Sequence, residues 1–172
     1  MSRKFISIGA LVLALLVFAA AALWVSRKSI SRNLVTKGFA LLEEKNYNDA
    51  LRAFEKAWKW NGRSSRALLG MSEAGYHLSQ FDKALEQVNK SILIDGLVPD
   101  AFFYRGLIHM KLDDKAKAIA DFTKTVGFDS LYAQAYYHRG IARAGMADFK
   151  GSVEDYRKAM SLDGKNIEAY LK

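Results

Sequence analysis

The chain has 172 residues with one proline and no cysteine, which excludes a disulfide scaffold and a thiolate metal site. Its net charge of +8 is unevenly placed: residues 1–42 hold six basic residues (Arg3, Lys4, Arg27, Lys28, Arg32, Lys37) and no acidic one, while the other 130 carry 20 basic and 18 acidic. The larger part is therefore nearly neutral, which argues against a face for nucleic acid or another polyanion.

Residues 1–5 form a short basic tail, and Ile6 to Val25 is a run of 20 residues without a charge. Twenty helical residues cover roughly the 30 Å hydrocarbon core of a bilayer. Trp24 sits at one end of the run, where an amphipathic ring favours the interface, and Arg27 and Lys28 follow at once. We read 6–25 as a retained transmembrane helix and 26–30 as a juxtamembrane linker. Ala19-Ala20-Ala21-Ala22 leaves a cleaved signal peptide, and so a secreted protein, as the alternative. The four cations after the run favour a cytoplasmic body by the positive-inside rule, whereas the short cationic tail resists translocation. An exported, periplasmic body is expected, with the cytoplasmic side as the alternative.

From residue 31 a spacing of 34 repeats four times. Gly38, Ser72, Gly106 and Gly140 share one position; Ala50, Ala84, Ala118 and Ser152 a second; Phe54, Val88, Phe122 and Tyr156 a third; Ala57, Ser91, Thr125 and Ala159 a fourth. Such a spacing denotes one supersecondary unit copied and stacked. The units are 31–64, 65–98, 99–132 and 133–166, followed at 167–172 by the start of a cap helix. Each unit shows two apolar-periodic stretches of about 14 residues, too long for core strands. First helices are predicted near 31–44, 65–78, 99–112 and 133–146, and second helices near 47–60, 81–94, 115–128 and 149–162. The turns within the units contain Glu44-Lys45-Asn46, Ser79-Gln80, Asp113-Asp114 and Ala147-Asp148. Gly62, Gly96 and Gly164 follow the second helices, as in a left-handed C-cap. The mid-helix glycines point to close helix approach, with Phe54, Phe122 and Tyr156 filling the space between the paired helices.

Two segments, Ala101-Phe102-Phe103-Tyr104-Arg105-Gly106 and Ala135-Tyr136-Tyr137-His138-Arg139-Gly140, carry a family resemblance. The chain resembles tetratricopeptide repeat proteins over 31–166, and departs from their pattern in having Leu41, Gly75, His109 and Arg143 where a tyrosine is usual and no proline near the end of each unit. The resemblance implies an all-α fold, here an N-terminal transmembrane helix followed by a right-handed α-solenoid of four helix-turn-helix units. It also implies that first helices line a concave groove. The groove-lining positions hold Val35, Leu69, Phe103 and Tyr137; Phe39, Leu107 and Ile141, with Glu73 in the second unit; and Leu42, Tyr76 and Met110, with Ala144 in the fourth. An apolar, aromatic face of this kind suits a protein segment, apolar or helical. Relatives that clasp acidic chaperone tails use Lys, Asn and Arg in the groove, where Val35, Phe39, Gly70, Asp100 and Tyr104 stand here, so a carboxylate clamp is not expected.

Other candidates are weaker. His77, His109 and His138 lack metal-ligand spacing, Trp58 and Trp60 fall at positions read as core, and Asn89-Lys90-Ser91 lies mid-helix, where glycosylation is not expected. The sequence carries no phosphate-cradling glycine loop, nucleophile elbow or metal-ligand cluster. A non-enzymatic scaffold without cofactor, metal or small-molecule substrate is expected, its partners being the membrane and one or more proteins. The alternative is an accessory subunit of a membrane complex, held by its transmembrane helix and the solenoid end.

Overall fold

A computed structural model describes residues 8–170; the basic tail at 1–5 and the end of the cap segment at 171–172 lie outside the described residues. The described residues are helical and contain no strand: α1 (Ile8–Glu43), α2 (Tyr47–Trp60), α3 (Ser65–His77), α4 (Phe81–Ile94), α5 (Pro99–Lys111), α6 (Lys115–Phe128), α7 (Ala133–Ala144) and α8 (Phe149–Tyr170). Non-helical backbone at Asp163 (φ −154°, ψ 69°) divides α8. Residues 26–30, expected as a linker, lie within α1, which runs unbroken from the apolar segment into the first helix pair. No glycine or proline between Ser26 and Lys37 interrupts it.

Consecutive helices pack antiparallel. The Ser31 hydroxyl donates to the Ala57 carbonyl (2.9 Å), and 34 residues on Ser91 donates to Ser65 (2.9 Å). The start of each first helix therefore lies beside the end of its second helix. First helices α1, α3, α5 and α7 touch one another in succession, whereas α2, α4, α6 and α8 do not. That asymmetry places the first helices on the inside of the curve.

Close approach within a pair rests on glycine. A Cβ built at Gly106 would fall 2.7 Å from Cε1 of Phe122, one at Gly140 2.8 Å from Cε1 of Tyr156, and one at Gly38 2.5 Å from Cε1 of Phe54. The second unit carries Val88 in place of the ring, and the same position there tolerates Ser72, fully buried with its hydroxyl unpaired.

The turns differ from expectation. No described glycine has positive φ; the left-handed residues are Lys45 (59°), Ser79 (58°), Asp113 (60°) and Ala147 (62°), 34 apart, inside the units. There the chain closes as a Schellman-type cap, with Asn46 N–H donating to the Leu41 carbonyl at 2.8 Å and Asp114 N–H to His109 at 2.8 Å. Gly62, Gly96 and Gly164 form no left-handed cap. The second helices end on Asn61, Asp95 and Asp129, whose side-chain oxygens accept from the backbone N–H two residues on, at 3.4, 3.2 and 2.9 Å. An Asx turn reverses the chain without positive φ and leaves glycine no conformational task.

Units three and four add an ion pair between their two helices, part-buried in the third and buried in the fourth. Arg105 donates from Nε and Nη2 to Asp121 (2.8 and 2.7 Å), and Arg139 to Asp155 (2.9 and 2.6 Å). Each arginine also reaches back one unit, Arg105 to Asn89 (2.9 Å) and Arg139 to Thr123 (3.2 Å), tying neighbouring units together. Units one and two hold Lys37/Ala53 and Met71/Gln87 at these places and lack the pair.

Candidate functional site

The inner face is less apolar than its sequence suggests. Of the ten expected groove residues, Val35, Leu42, Leu69, Phe103, Leu107 and Tyr137 are buried in the packed core. They sit against the neighbouring unit: Phe103 and Leu107 pack with Phe122, Ala135 and Ala142, and Leu69 packs with Ala101 and Ile108. Solenoid units contact only their neighbours, so these positions supply the unit-to-unit core. Phe39, Tyr76, Met110 and Ile141 keep part of their surface free.

What surrounds those four is polar-aromatic. Tyr76 lies between His77, Phe81 and Tyr104, with ring centroids 5.3, 6.1 and 6.4 Å away. Tyr104 is hydrogen-bonded to Glu73, and Tyr132 donates to Asp100 at 2.9 Å. Burial pushes the Glu73 carboxyl above its ordinary range; the Tyr104 hydroxyl lowers it and the Asp100 charge raises it further. Burial and the Glu73 charge hold the Tyr104 phenol well above its usual value, and burial with the Asp100 charge does the same for Tyr132. Both tyrosines therefore stay protonated and donate. The strip presents the half-buried Glu73 carboxyl and the exposed Asp100 carboxylate on an aromatic floor, with Met110 and Ile141 beyond.

His138 stands beneath this strip, its ring centroid 5.8 Å from Phe103 and 6.0 Å from Phe122. Burial, with the Lys111 charge adding, pushes its imidazole down to about 4, so it is neutral at pH 7. His77 and His109 are likewise shifted down by burial. Among the described residues no three His, Cys, Asp or Glu side chains converge as a metal site. The tyrosine–carboxylate pairs escaped the sequence reading although Glu73, Asp100 and Tyr104 were placed in the groove, because the Glu73–Tyr104 pair joins neighbouring units and Tyr132 falls outside the expected groove positions.

Two further surfaces frame the strip. At the start of α1, the stretch before the first helix pair is exposed and is the one described helix long and apolar enough to cross a membrane, by length and composition. Trp60, read as core, is 43% exposed, as are Ile94 (42%) and Phe128 (48%) at the same place in the next two units, so this position at the end of the second helix faces outwards. Trp58 packs on the first core cluster.

Known proteins place this architecture. None of the curated proteins compared matches the chain. The solved structure of MamA shares 20% identity with it at a TM-score of 0.70, covering 95% of this chain and 99% of that one. The TPR domain of Arabidopsis OM64 shares 24% at 0.66, covering 69% and 98%. The first TPR of Spaghetti (RPAP3), bound to the HSP90 peptide SRMEEVD, shares 16% at 0.67, covering 70% and 95%. At these identities the likeness establishes the fold alone. Tetratricopeptide repeat models match residues 41–98 and 133–166, spans that contain the left-handed turns at Lys45, Ser79 and Ala147 and the ring-on-glycine contact of Tyr156 with Gly140. With its paired helices, inner first-helix layer and unbroken 34-residue register, the chain belongs to the tetratricopeptide repeat family.

Proposed function

We propose that the chain is a membrane-anchored, non-enzymatic adaptor that holds a protein segment against its inner face. The observation that carries this reading is the strip of Phe39, Tyr76, Tyr104, Met110 and Ile141, left partly exposed when the rest of the apolar first-helix surface goes into the core. Aromatic and methionine side chains around a few fixed polar groups suit interface anchors. Glu73 and Asp100 set the preferred chemistry: an apolar segment carrying a cation or N–H donors suits the strip, and an acidic tail of the SRMEEVD kind, bound by the RPAP3 domain, does not. The exposed apolar length of α1 supports the anchor.

The test is photo-crosslinking in native membranes, with a benzophenone side chain placed at Met110 and, as a control, at Lys83 on the outer side. A discrete cross-linked chain at Met110, absent at Lys83 and weakened by Tyr76→Ala, is expected. Equal labelling at both sites would refute the groove assignment.

A second reading draws on the last unit. Leu51, Leu85 and Ile119 are half-buried under the following unit, whereas the equivalent Val153 is 48% exposed, and Met160 is 51% exposed where Trp58, Ile92 and Val126 are half-buried. Those exposed side chains on the last unit suit an accessory subunit docking against it. Val153→Asp should then release the partner while Tyr76→Ala does not.

A further inference from the structure

The end of each second helix and the loop after it lie on the edge of the solenoid from which α1 departs. Ser31 is level with Ala57, and α1 and α2 run antiparallel at about 1.5 Å per residue, so Trp60 stands level with Lys28. Lys28 lies over the Trp24 ring, Nζ 4.2 Å from its centroid, at the boundary between the apolar run and the first charges. On the anchor reading proposed above, that boundary is the bilayer surface, and the inter-unit edge lies on it.

The side chains along this edge fit that position. Leu93 is 88% exposed and Leu97 75%, and Leu131 repeats the place of Leu97 one unit on at 71%. The Asx turn at Asp95 fixes the Leu97 loop beyond the helix end. Beside α1 the edge is basic: Lys28, Arg32, Arg63 and Arg66 line a cavity of about 270 Å³ with no acidic residue in its wall, and none of the four has a carboxylate partner among the described residues. The opposite edge, a helix length of roughly 20 Å away, also exposes Leu112, Met146 and Phe149, but its turns gather Glu43, Glu44, Asp113, Asp114 and Asp148.

We propose that the inter-unit edge of the first two units is a docking surface for an anionic phospholipid bilayer. Lys28, Arg32 and Arg63 meet the headgroup phosphates, Arg66 borders them with its guanidinium over the Phe39 ring, and Trp60, Leu93 and Leu97 enter the interfacial layer. Cations attracted by anionic lipid beside aromatic and leucine side chains at acyl-chain depth are the two elements of interfacial binding. A single anchor leaves a body free to tilt; this edge adds a second attachment that sets the body down on its side.

The inference rests on the anchor reading, and the test separates the two. The native chain has no cysteine, so full-length Leu97→Cys and, as control, Ser79→Cys on the opposite edge each carry one environment-sensitive fluorophore. Both are reconstituted into vesicles of phosphatidylglycerol and phosphatidylcholine in equal parts and quenched with doxyl-labelled lipid. Quenching at residue 97 at least about twofold stronger than at 79 is expected, falling towards the control with Arg63→Glu/Arg66→Glu or in phosphatidylcholine alone. A chain that floats with the vesicles yet quenches equally at 97 and 79 overturns the edge surface and leaves the anchor standing. A chain that does not float overturns the anchor, and the edge proposal with it.

Discussion

The pairing of glycine with a ring is a quantitative statement about packing, and unit two shows how to test it. Replacing Gly106 by Ser puts a Cβ 2.7 Å from Cε1 and 2.9 Å from Cδ1 of Phe122, a ring that is itself fully buried. Overpacking of this kind costs about 1–3 kcal/mol, and the better helix propensity of serine returns about 0.5 kcal/mol, so Gly106→Ser should destabilise by about 1–2 kcal/mol. Phe122→Val empties part of the same space and should cost about 2–4 kcal/mol. The double variant rebuilds the Ser72/Val88 arrangement of unit two, in which valine leaves room for the hydroxymethyl group. Its destabilisation should fall short of the sum of the single effects by at least about 1 kcal/mol, because the clash is present in only one of the singles. Urea unfolding of the full chain in detergent, followed by far-UV circular dichroism, measures all four corners of the cycle. Additivity within about 0.5 kcal/mol would refute the argument that ring and glycine exclude each other's substituents.

Three further substitutions have defined outcomes. Asp155→Ala leaves the buried Arg139 guanidinium without its bidentate partner and should lower unfolding stability by about 3–5 kcal/mol, whereas exposed Glu154→Ala next to it should change little; equal effects in urea melts would contradict the buried pair. Ala147→Gly relieves a left-handed alanine at φ 62° and should raise the thermal midpoint, by an amount equivalent to about 0.5–1 kcal/mol; a lower midpoint would contradict the turn geometry. His138 has a folded pKa near 4, below its unfolded value of about 6.5, so the unfolded chain binds the extra proton between those limits and stability should fall as pH drops from about 6.5 to 4. His138→Gln should flatten that part of the pH–stability curve, and an unchanged slope would show that the imidazole is not the group responsible.

The sequence carried the helix pairs closely because two signals agreed at every unit: a 3.6-residue apolar period and small residues at a fixed 34-residue interval. It misled at the turns, where Gly62 and Gly96 suggested left-handed caps. The chain instead places positive φ on Lys45, Ser79, Asp113 and Ala147, since a Schellman cap fixes backbone hydrogen bonds and tolerates a non-glycine residue at about 1 kcal/mol. It misled again at Val35, Leu42, Leu69, Phe103, Leu107 and Tyr137. A helix between two neighbours buries a wider arc than a groove position implies, and sequence period alone does not say how wide. Arg105–Asp121 and Arg139–Asp155 were invisible as pairs: sixteen residues separate the partners, and only the antiparallel fold brings them together.

The continuity of α1 bears on how such an adaptor would work. A flexible linker after a membrane span lets the attached domain sample all orientations, so its groove meets a partner from any side. Here the same helix leaves the apolar segment and packs against α2 and α3, with no glycine or proline from Ser26 to Lys37. On the anchor reading, the direction of the inner face relative to the bilayer is then fixed by helix rotation: Val35 and Leu42 must face the core, which determines where Trp24 and Lys28 point. A groove held at fixed height and angle above a membrane favours partners whose segments emerge at a matching height, a selection made by geometry before any side chain of the strip is touched. The basic cavity at Arg63 and Arg66 strengthens that constraint, because it opposes the one motion a single helix leaves open, tilting about its point of exit.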